Sequence, residues 1–447
     1  MSLLTPPNVR KLQRALYAKA KAEPAYRFYA LYDTLYDKIY RKDVLEWAWR
    51  CCRANGGSPG VDGQSFAGIE AAGVEGWLDQ LAQELRTKTY RPQAVRRVHI
   101  PKPDGKSTRP LGVPAIKDRV AQMAAVIVLE AIFEADLTEE QYAYRPKRSA
   151  LDAVRAVHGW LNRGYTEVVD ADLSRYFDTI PHHELMRCVA RRVSDGAMLA
   201  VIKSWLEMAV EEEDGKGHRR RTTENKDSGR GTPQGAPLSP LMANLYMRRF
   251  LLGWKQQGWD RKLQARIVNY ADDFVILCRG SAARARVRME RMMEQLRLTV
   301  NPEKTRTCKV PQDSFDFVGY TFGRCHRVNT GEAYLGTRPA KKRVARLCKQ
   351  ISQMTRCHTC GRPTEEMVGE LNLVLKGWAN HFQLGAVSKA YRAVDSHARN
   401  RLRRWLCCKR QLEGKGTRRY SDQYLEGTLG LIRLARFRAT LPWAKAK

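Results

Sequence analysis

The sequence predicts an α+β fold that ends in a helical region. Two strands of residues 266–270 and 274–278 flank the acidic pair Asp272-Asp273, and residues 167–173 form a third strand that also ends in acids. From residue 340 onward, apolar residues recur at helical spacing instead. Short strands that end at acidic turns, followed by a run of helices, are typical of an antiparallel sheet with helices at one end.

The other elements follow from periodicity and turn residues. Alternation in residues 95–100 and 108–113, around a turn rich in Pro and Gly, predicts a basic β-hairpin. Further strands are predicted over residues 305–309 and 315–321, and the polar residues 211–230 are expected to form a loop. Helical spacing occupies the segments 1–50, 74–88, 117–136, 149–162, 182–210 and 281–297.

Charge points to a polyanionic partner. The 447 residues carry 79 Lys and Arg against 47 Asp and Glu, a formal net charge of +32. Residues 326–447 hold 26 of these cations and only 8 of the acids, so the C-terminal region is the denser anion-binding surface. Lys and Arg placed on phosphates release condensed counterions, which makes nucleic acid the natural partner.

Composition also bears on cell compartment. No stretch of about 18 uninterrupted apolar residues occurs, so we expect no membrane contact. Eleven scattered cysteines suit a reduced cytosolic protein better than a disulfide framework. Cys357 and Cys360 have the spacing of half a zinc site, which the sequence leaves undecided.

Three acids suit two-metal chemistry. Asp272 and Asp273 lie in a turn between apolar strands, where paired carboxylates cost free energy unless a cation is present. Asp172 ends another strand that we expect beside them. Hard oxygen ligands suit Mg²⁺, and two such ions about 4 Å apart catalyse in-line phosphoryl transfer.

The order of motifs carries a family resemblance. Phe177-Asp178 follows Asp172, Pro233-Gln234-Gly235 comes next, and the turn Tyr270-Ala271-Asp272-Asp273 comes third, as in reverse transcriptases. Five further segments narrow the resemblance to one family of reverse transcriptases: residues 109–114, 144–146, 231–240, 317–320 and 375–382. From about residue 45 to 447, the chain resembles bacterial group II intron-encoded proteins, which are reverse transcriptases with a maturase domain.

The resemblance implies a right-hand polymerase, whose fingers and palm contain antiparallel sheet, followed by an α-helical thumb and maturase domain. It implies that Asp172, Asp272 and Asp273 bind two Mg²⁺ ions, which Mn²⁺ can replace, with the carbonyl of Leu173 assisting. Phe177 occupies the position that excludes a ribose 2′-hydroxyl. The residues expected to contact the dNTP are Arg96, Lys102, Arg109, Phe177, Gln234, Gly235 and Lys304. The spacing from Lys102 to Arg109 is longer than in the family by one residue, which bears on the assignment of Arg109, and Arg97 is a rival for Arg96.

The resemblance also implies surfaces for nucleic acid. The primer grip is expected at Phe317, Gly319 and Tyr320. Contacts to RNA or to the template–primer are expected from Lys341, Lys342, Arg343, Arg346, Arg401, Arg403 and Arg404. The predicted domains are a helical extension (1–45), fingers and palm (46–325), a helical thumb/maturase domain (326–412) and a basic DNA-binding-like tail without an endonuclease domain (413–447).

Three functions remain open. The first is an RNA-directed DNA polymerase encoded by a group II intron, which extends a DNA or RNA primer with dNTPs on an RNA template. It would bind its structured intron RNA and a target DNA, and would assist splicing and mobility. The second is a domesticated relative that acts in phage defence, DNA repair or CRISPR adaptation. The third is an RNA-binding splicing cofactor without polymerase activity, against which the intact Asp172, Asp272 and Asp273 argue.

Overall fold

The computed structural model describes residues 4–29, 35–101, 108–214, 218–327, 329–414 and 416–436. Its α-helices are α1 (Pro7–Ala22), α2 (Lys42–Asn55), α3 (Phe66–Ala72), α4 (Val74–Arg86), α5 (Ile116–Phe133), α6 (Ala150–Asn162), α7 (Tyr176–Thr179), α8 (His182–Ala190), α9 (Gly196–Leu206), α10 (Glu224–Ser228), α11 (Ser239–Gln256), α12 (Trp259–Lys262), α13 (Ala282–Gln295), α14 (Lys341–Met354), α15 (Thr364–His381) and α16 (Ser388–Lys409). Its strands are β1 (Val95–Pro101), β2 (Thr108–Val113), β3 (Glu167–Asp172), β4 (Val210–Glu213), β5 (Arg219–Thr222), β6 (Ala265–Tyr270), β7 (Asp273–Cys278), β8 (Arg306–Lys309), β9 (Phe315–Phe317), β10 (Tyr320–His326) and β11 (Ala333–Pro339).

The first sheet has the strand order β2-β1-β4-β5 and contains the predicted basic hairpin. The prediction of a loop over residues 211–230 is wrong, because β4 and β5 pair there and extend this sheet. Their register sets Glu211 opposite Arg221 and Glu213 opposite Arg219. Opposite charges directly across an antiparallel pair stabilise it, so a segment without apolar alternation still forms strands.

The second sheet, with the order β6-β7-β3-β8, is the one that we call the palm sheet. Side chains alternate along its strands, so its two faces pack against different cores. Val169 and Phe274 pack with the helices α5, α8, α11 and α13, whereas Val168 and Val275 pack with α6 and with β9 and β10. Asp172 and Asp273 lie in phase with the second set and therefore point away from α8, α11 and α13.

The third sheet has the order β11-β10-β9 and occupies the start of the segment predicted to be the helical domain. Residues 333–339 belong to a region predicted to be helical, but they form β11, which pairs with β10 along its whole length. The C-terminal helices begin only at α14. Arg324, Arg327 and Arg338 interrupt the apolar alternation here, so the sequence pattern does not indicate the strand pair.

Both ends of the described chain pack against larger units. Val9 and Ala20 of α1 are buried in the core that contains α5, so residues 1–45 include part of that core. The segment expected to be a separate basic tail packs in the same way. Leu425 and Leu434 are buried with Leu375 and Trp405 of the C-terminal helices, as far as residue 436. No helix in the described ranges is long and apolar enough to span a bilayer.

Candidate active site

The predicted acids lie together at one end of the palm sheet. Strands β3 and β7 run antiparallel in a register that sets Asp172 directly opposite Asp273. Asp272 lies in the adjoining turn, which needs a left-handed backbone at Ala271 (φ 59°). The buried Asn269 donates from Nδ2 to the carbonyl of Ala271 over 2.7 Å and so holds this turn in shape. Two strand ends and one turn therefore position the three carboxylates.

Burial makes these carboxylates costly to ionise without a cation. Burial raises the pKa of Asp273 to about 7, and the neighbouring Asp170 and Asp272 add to the effect. Burial likewise raises the pKa of Asp272, to which the charge of Asp172 contributes. Desolvation and like charge both favour the protonated form. A bound metal ion would relieve both costs, and hard carboxylate oxygens are the ligands that Mg²⁺ prefers.

Two basic side chains reach the same group of acids. Lys304 donates from Nζ to Oδ2 of Asp172 over 3.1 Å, and Arg306 donates from Nε to Oδ2 of Asp170 over 3.1 Å. No three acidic, histidine or cysteine side chains in the described ranges converge as a ready-made ligand sphere for a metal, at the palm sheet or near Cys357. The donor chemistry fits Mg²⁺, which is held by few protein carboxylates and is completed by substrate phosphates.

Leu173 follows Asp172 and is buried. It forms an isolated bridge with Val300, which brings the strand end close to the turn that carries Lys304. Phe177 is also buried, with its ring edge-on to Tyr176 at 5.8 Å between centroids. Its carbonyl accepts a hydrogen bond from the backbone N–H of Thr232 over 2.8 Å. Packing therefore holds Phe177 between the palm sheet and the loop of residues 231–236.

That loop joins the fingers hairpin to the palm. Gly235 has φ +109°, and a Cβ built on it would lie 2.3 Å from the carbonyl oxygen of Gly112 on β2. The N–H of Gly112 donates to the carbonyl of Gln234 over 2.6 Å. The side chain of Gln234 bridges two charges, since Oε1 accepts from Arg109 Nε at 2.9 Å and Nε2 donates to Asp178 Oδ1 at 3.1 Å.

The other predicted phosphate-binding residues either contact residues outside the loop of residues 231–236 or lie outside the described residues. Arg96 donates from a terminal guanidinium nitrogen to Ser58 Oγ over 2.9 Å, and its buried Nε has no hydrogen-bond partner in the described structure. The rival Arg97 lies 4.0 Å from Glu212. Lys102 lies outside the described residues. Of the predicted fingers residues, Arg109 is therefore the one that the structure brings to the loop of residues 231–236.

The predicted primer grip forms the junction with the C-terminal helices. Phe317 and Tyr320 are fully buried, and the Tyr320 hydroxyl donates to the carbonyl of His381 over 2.5 Å. Gly319 has φ +85°, and a Cβ there would lie 3.3 Å from both Arg343 and Phe382. This tight packing fixes α14 and α15 relative to the palm sheet.

A groove of about 680 Å³ runs between the acids and these helices. Asp272 and Asp273 line one side, and Arg343 and Arg346 of α14 line the other. Lys341 and Lys342 are exposed on the same helix, and Lys342 pairs with Asp316 at 2.9 Å. The groove thus has carboxylates at its floor and cations on a wall, as a template–primer channel requires.

Two of the arginines predicted to contact RNA, Arg401 and Arg403, make their hydrogen bonds inside the helical domain. Arg403 is buried, donates to the carbonyl of Tyr420 over 2.8 Å and pairs with Asp422. Arg401 donates to the carbonyl of Thr355 over 2.6 Å. Both guanidiniums satisfy backbone carbonyls inside the helical domain, while Arg404 remains exposed. Helical spacing alone does not show that a basic side chain is exposed to solvent, because a later segment of the chain can cover that face of the helix.

Two residues were given no role from the sequence. Asp178 lies beside the predicted sugar gate, where burial raises its pKa, and its contact with Gln234 became visible only in three dimensions. Tyr144 has a left-handed backbone (φ 54°) and an exposed ring that lines the groove near Asp272. A bulky residue at positive φ is unusual, but no sequence pattern reports it.

Comparison with known proteins agrees with this geometry. A family model described as reverse transcriptase (RNA-dependent DNA polymerase) matches residues 100–322, which include the three acids and the Gln234 loop. A second model, described as the maturase-specific domain of group II introns, matches residues 344–424. It extends beyond residue 412, in agreement with the packing of the following segment.

Two curated relatives and one solved structure are also similar to this chain. Protein YkfC of Escherichia coli K12 is 32% identical over 352 residues, which are 70% of this chain and 87% of that protein. Group II intron-encoded protein LtrA of Lactococcus lactis subsp. cremoris is 30% identical over 244 residues, which are 53% of this chain and 38% of LtrA. A solved structure titled partial Cas6-RT-Cas1–Cas2 complex is 22% identical over 59% of this chain and 41% of that chain, with a TM-score of 0.35.

The two family models follow one another in the order of the observed domains, fingers and palm first and helices second. The mixed α+β fold and its antiparallel palm sheet agree with that assignment. The chain belongs to the group II intron family of reverse transcriptases and maturases, and it is an RNA-directed DNA polymerase.

Proposed function

We propose that the chain extends a DNA or RNA primer with deoxynucleotides on an RNA template, with two Mg²⁺ ions at Asp172, Asp272 and Asp273. The observation that carries the proposal is the β3–β7 register, which sets Asp172 opposite Asp273, while Asp272 and Asp273 line the groove. The raised pKa values of Asp272 and Asp273 support a site that holds cations. Bound Mg²⁺ would activate the primer 3′-hydroxyl and neutralise the leaving pyrophosphate, and Mn²⁺ would serve in its place.

The remaining residues position the dNTP in this proposal. Arg109 would bind the triphosphate, because its guanidinium reaches the loop next to the acids while Gln234 holds its Nε. Arg96 and Lys102 would add charge from the same hairpin. The Phe177 ring would crowd a ribose 2′-hydroxyl and so select deoxynucleotides. Lys304, whose Nζ lies 3.1 Å from Asp172 Oδ2, would donate a proton to pyrophosphate.

We further propose that the helical domain binds structured intron RNA and assists splicing and mobility of that intron, with a target DNA as the final acceptor. The match to the maturase-specific domain supports this, as do the exposed Lys341, Arg343, Arg346 and Arg404. RNA duplexes are recognised mainly by shape and backbone, which suits a helical surface with cations along one wall.

Primer extension on poly(rA)/oligo(dT) with Mg²⁺ tests the polymerase proposal. We expect wild-type extension, and a loss of at least about a hundredfold for Asp272→Ala, since electrostatic stabilisation is the main catalytic contribution. Asp227→Ala, which removes an exposed acid of α10, is the matched control. Equal extension by Asp272→Ala and wild type would refute the assignment. A preference for ribonucleotides would refute the role given to Phe177.

A further inference from the structure

A cavity of about 420 Å³ lies between α8 and α11, on the side of the palm sheet that the catalytic acids do not face. Four arginines line it: Arg187, Arg191, Arg248 and Arg249. The acids Asp136 and Glu184 also line it. The template–primer groove, with Asp272 at its floor, is a separate cavity.

The two acids are already neutralised. Asp136 Oδ2 lies 3.0 Å from Arg191 and 3.1 Å from Arg192, and Glu184 lies 3.6 Å from Arg297. Three guanidiniums are left without a carboxylate among the described residues: Arg187, Arg248 and Arg249. The half-buried Arg248 donates from Nε to the backbone carbonyl of Asp136, and Arg249 stacks over Tyr246 at 5.4 Å.

This positive charge is crowded. Burial lowers the pKa of Arg248, and the neighbouring charge of Arg191 lowers it further. Like charges in a partly desolvated cleft cost free energy unless a counter-charge arrives. An anion in the cleft would remove that cost.

Further exposed arginines lie on α13, a helix that contacts Gly253, one of the residues that line the cavity. Helix α13 runs beside α11, as shown by Gly253, where a Cβ would lie 3.1 Å from Met292. The outward face of α13 carries Arg284 and Arg291, both exposed, and Arg288, which stacks on Trp259 at 4.5 Å. We call this surface the back ridge; its members are Arg187, Arg248, Arg249, Arg284 and Arg291.

We propose that the back ridge binds the phosphate backbone of a folded RNA, as a second RNA site on the face of the palm away from the template–primer groove. The planar guanidinium matches phosphate oxygens in a bidentate fork. An acidic protein would be expected to meet an apolar and aromatic interface core. Of the large apolar residues of the cavity, Phe133 and Leu245 are instead buried in the protein's own core, and only Leu252 is partly exposed.

The ridge would hold a large RNA on one side while its 3′ region, or another template, occupies the groove. This inference rests on the proposed RNA partner but not on catalysis, so each can fail alone. Loss of primer extension on a short substrate would count against the proposed function. A ridge variant that loses binding to folded RNA but keeps primer extension would support the ridge and leave the proposed polymerase function untouched.

The test is Arg187→Gln/Arg249→Gln in the full chain, which removes two exposed charges. The probe is a folded group II intron transcript, with poly(rA)/oligo(dT) as the short substrate. We expect affinity for the transcript to fall about tenfold near physiological salt, and the slope of log affinity against log salt to shrink by about 1.5. Primer extension on the short substrate should stay at the wild-type level. Arg187→Lys/Arg249→Lys should recover part of the affinity.

A matched control loses the same charge elsewhere: Lys11→Gln/Arg50→Gln, two exposed residues of α1 and α2. Equal affinity of the ridge variant and this control would overturn the proposal, as would a parallel loss of short-substrate extension. Protection of wild-type Arg187 and Arg249 from phenylglyoxal by bound transcript, read by mass spectrometry, gives a measurement that needs no variant. Full modification in the RNA complex would contradict the ridge, and protection by an acidic polypeptide but not by the transcript would assign it to a protein partner.

Discussion

Arg109 donates a hydrogen bond to Gln234 across 125 residues of sequence, from Nε to Oε1 over 2.9 Å. The same Gln234 amide donates to Asp178 on the palm side. The contact ties the fingers hairpin to the loop beside the acids and holds one edge of the guanidinium, leaving its outer edge for phosphate.

Gln234→Ala should therefore raise the KM for dNTP about tenfold and change kcat less, since a hydrogen bond to a charged group contributes about 1.5 kcal/mol. Steady-state primer extension over a range of dNTP concentrations measures both constants. Gln80→Ala removes a glutamine that also donates to a carboxylate, Glu84, at an exposed site. An unchanged KM in the Gln234 variant would show that Arg109 needs no such support.

Gly235→Ala should destabilise the protein and reduce polymerase activity, because its Cβ would collide with the Gly112 carbonyl. Gly73→Ala is the matched control, since Gly73 has φ +102° and no atom within 4 Å of the added Cβ. We expect about 1–2 kcal/mol from the backbone alone at Gly73. At Gly235 we expect at least about 1 kcal/mol more from the clash. Thermal melting compares the two, and equal losses would mean that the loop moves freely from β2.

Mg²⁺ affinity should rise with pH up to about 7 and level off above it. The pKa of Asp273 is raised to about 7, so below that pH the metal-free carboxyl carries a proton that the metal must displace. Each pH unit below 7 should weaken binding by up to about tenfold. Calorimetry in buffers of different ionisation enthalpy reports the released proton. An affinity that is flat between pH 6 and 8 would contradict this assignment.

Lys304→Leu should slow single-turnover nucleotide incorporation by about a hundredfold and reduce its solvent isotope effect, the range expected for loss of a general acid. Lys309→Leu is a close control, because both lysines pair with an acid of β3 and their side chains are 65% and 63% exposed. Only Lys304 faces Asp172. Unchanged rates in the Lys304 variant would remove it from the chemistry.

Glu130→Gln should stabilise the protein at pH 8 but not at pH 5. Burial raises the pKa of Glu130 to about 7, above the usual 4.5, and Glu134 adds to the shift. The folded state thus holds a proton that the unfolded state releases, and stability falls as pH rises from about 4.5 to 7. Glutamine removes this cost, worth about 3 kcal/mol at pH 8. Melting curves at both pH values test it, with the exposed Glu139→Gln as control; equal shifts at both pH values would argue against titration.

The sequence predicted the elements whose signals are local. Alternation and turn residues gave the β1–β2 hairpin and the β6–β7 hairpin around Asp272, and both are confirmed. Strands β4, β5 and β11 were missed, because their pairing depends on charge across the ladder or on a partner strand. Arg403 was assigned to the surface, because the segment that buries it lies beyond its own helix.

By itself, the sequence determined the chemistry: which carboxylates, which lysine and which glycine loop the chain brings to its site, since these depend on residue types in order. Only the tertiary structure decided which of them meet. The β3–β7 register puts Asp172 opposite Asp273, and the close approach of Gly112 to Gly235 brings Arg109 to Gln234. Such contacts depend on how separate strands and loops pack, and packing joins residues whose separation along the chain carries no local signal.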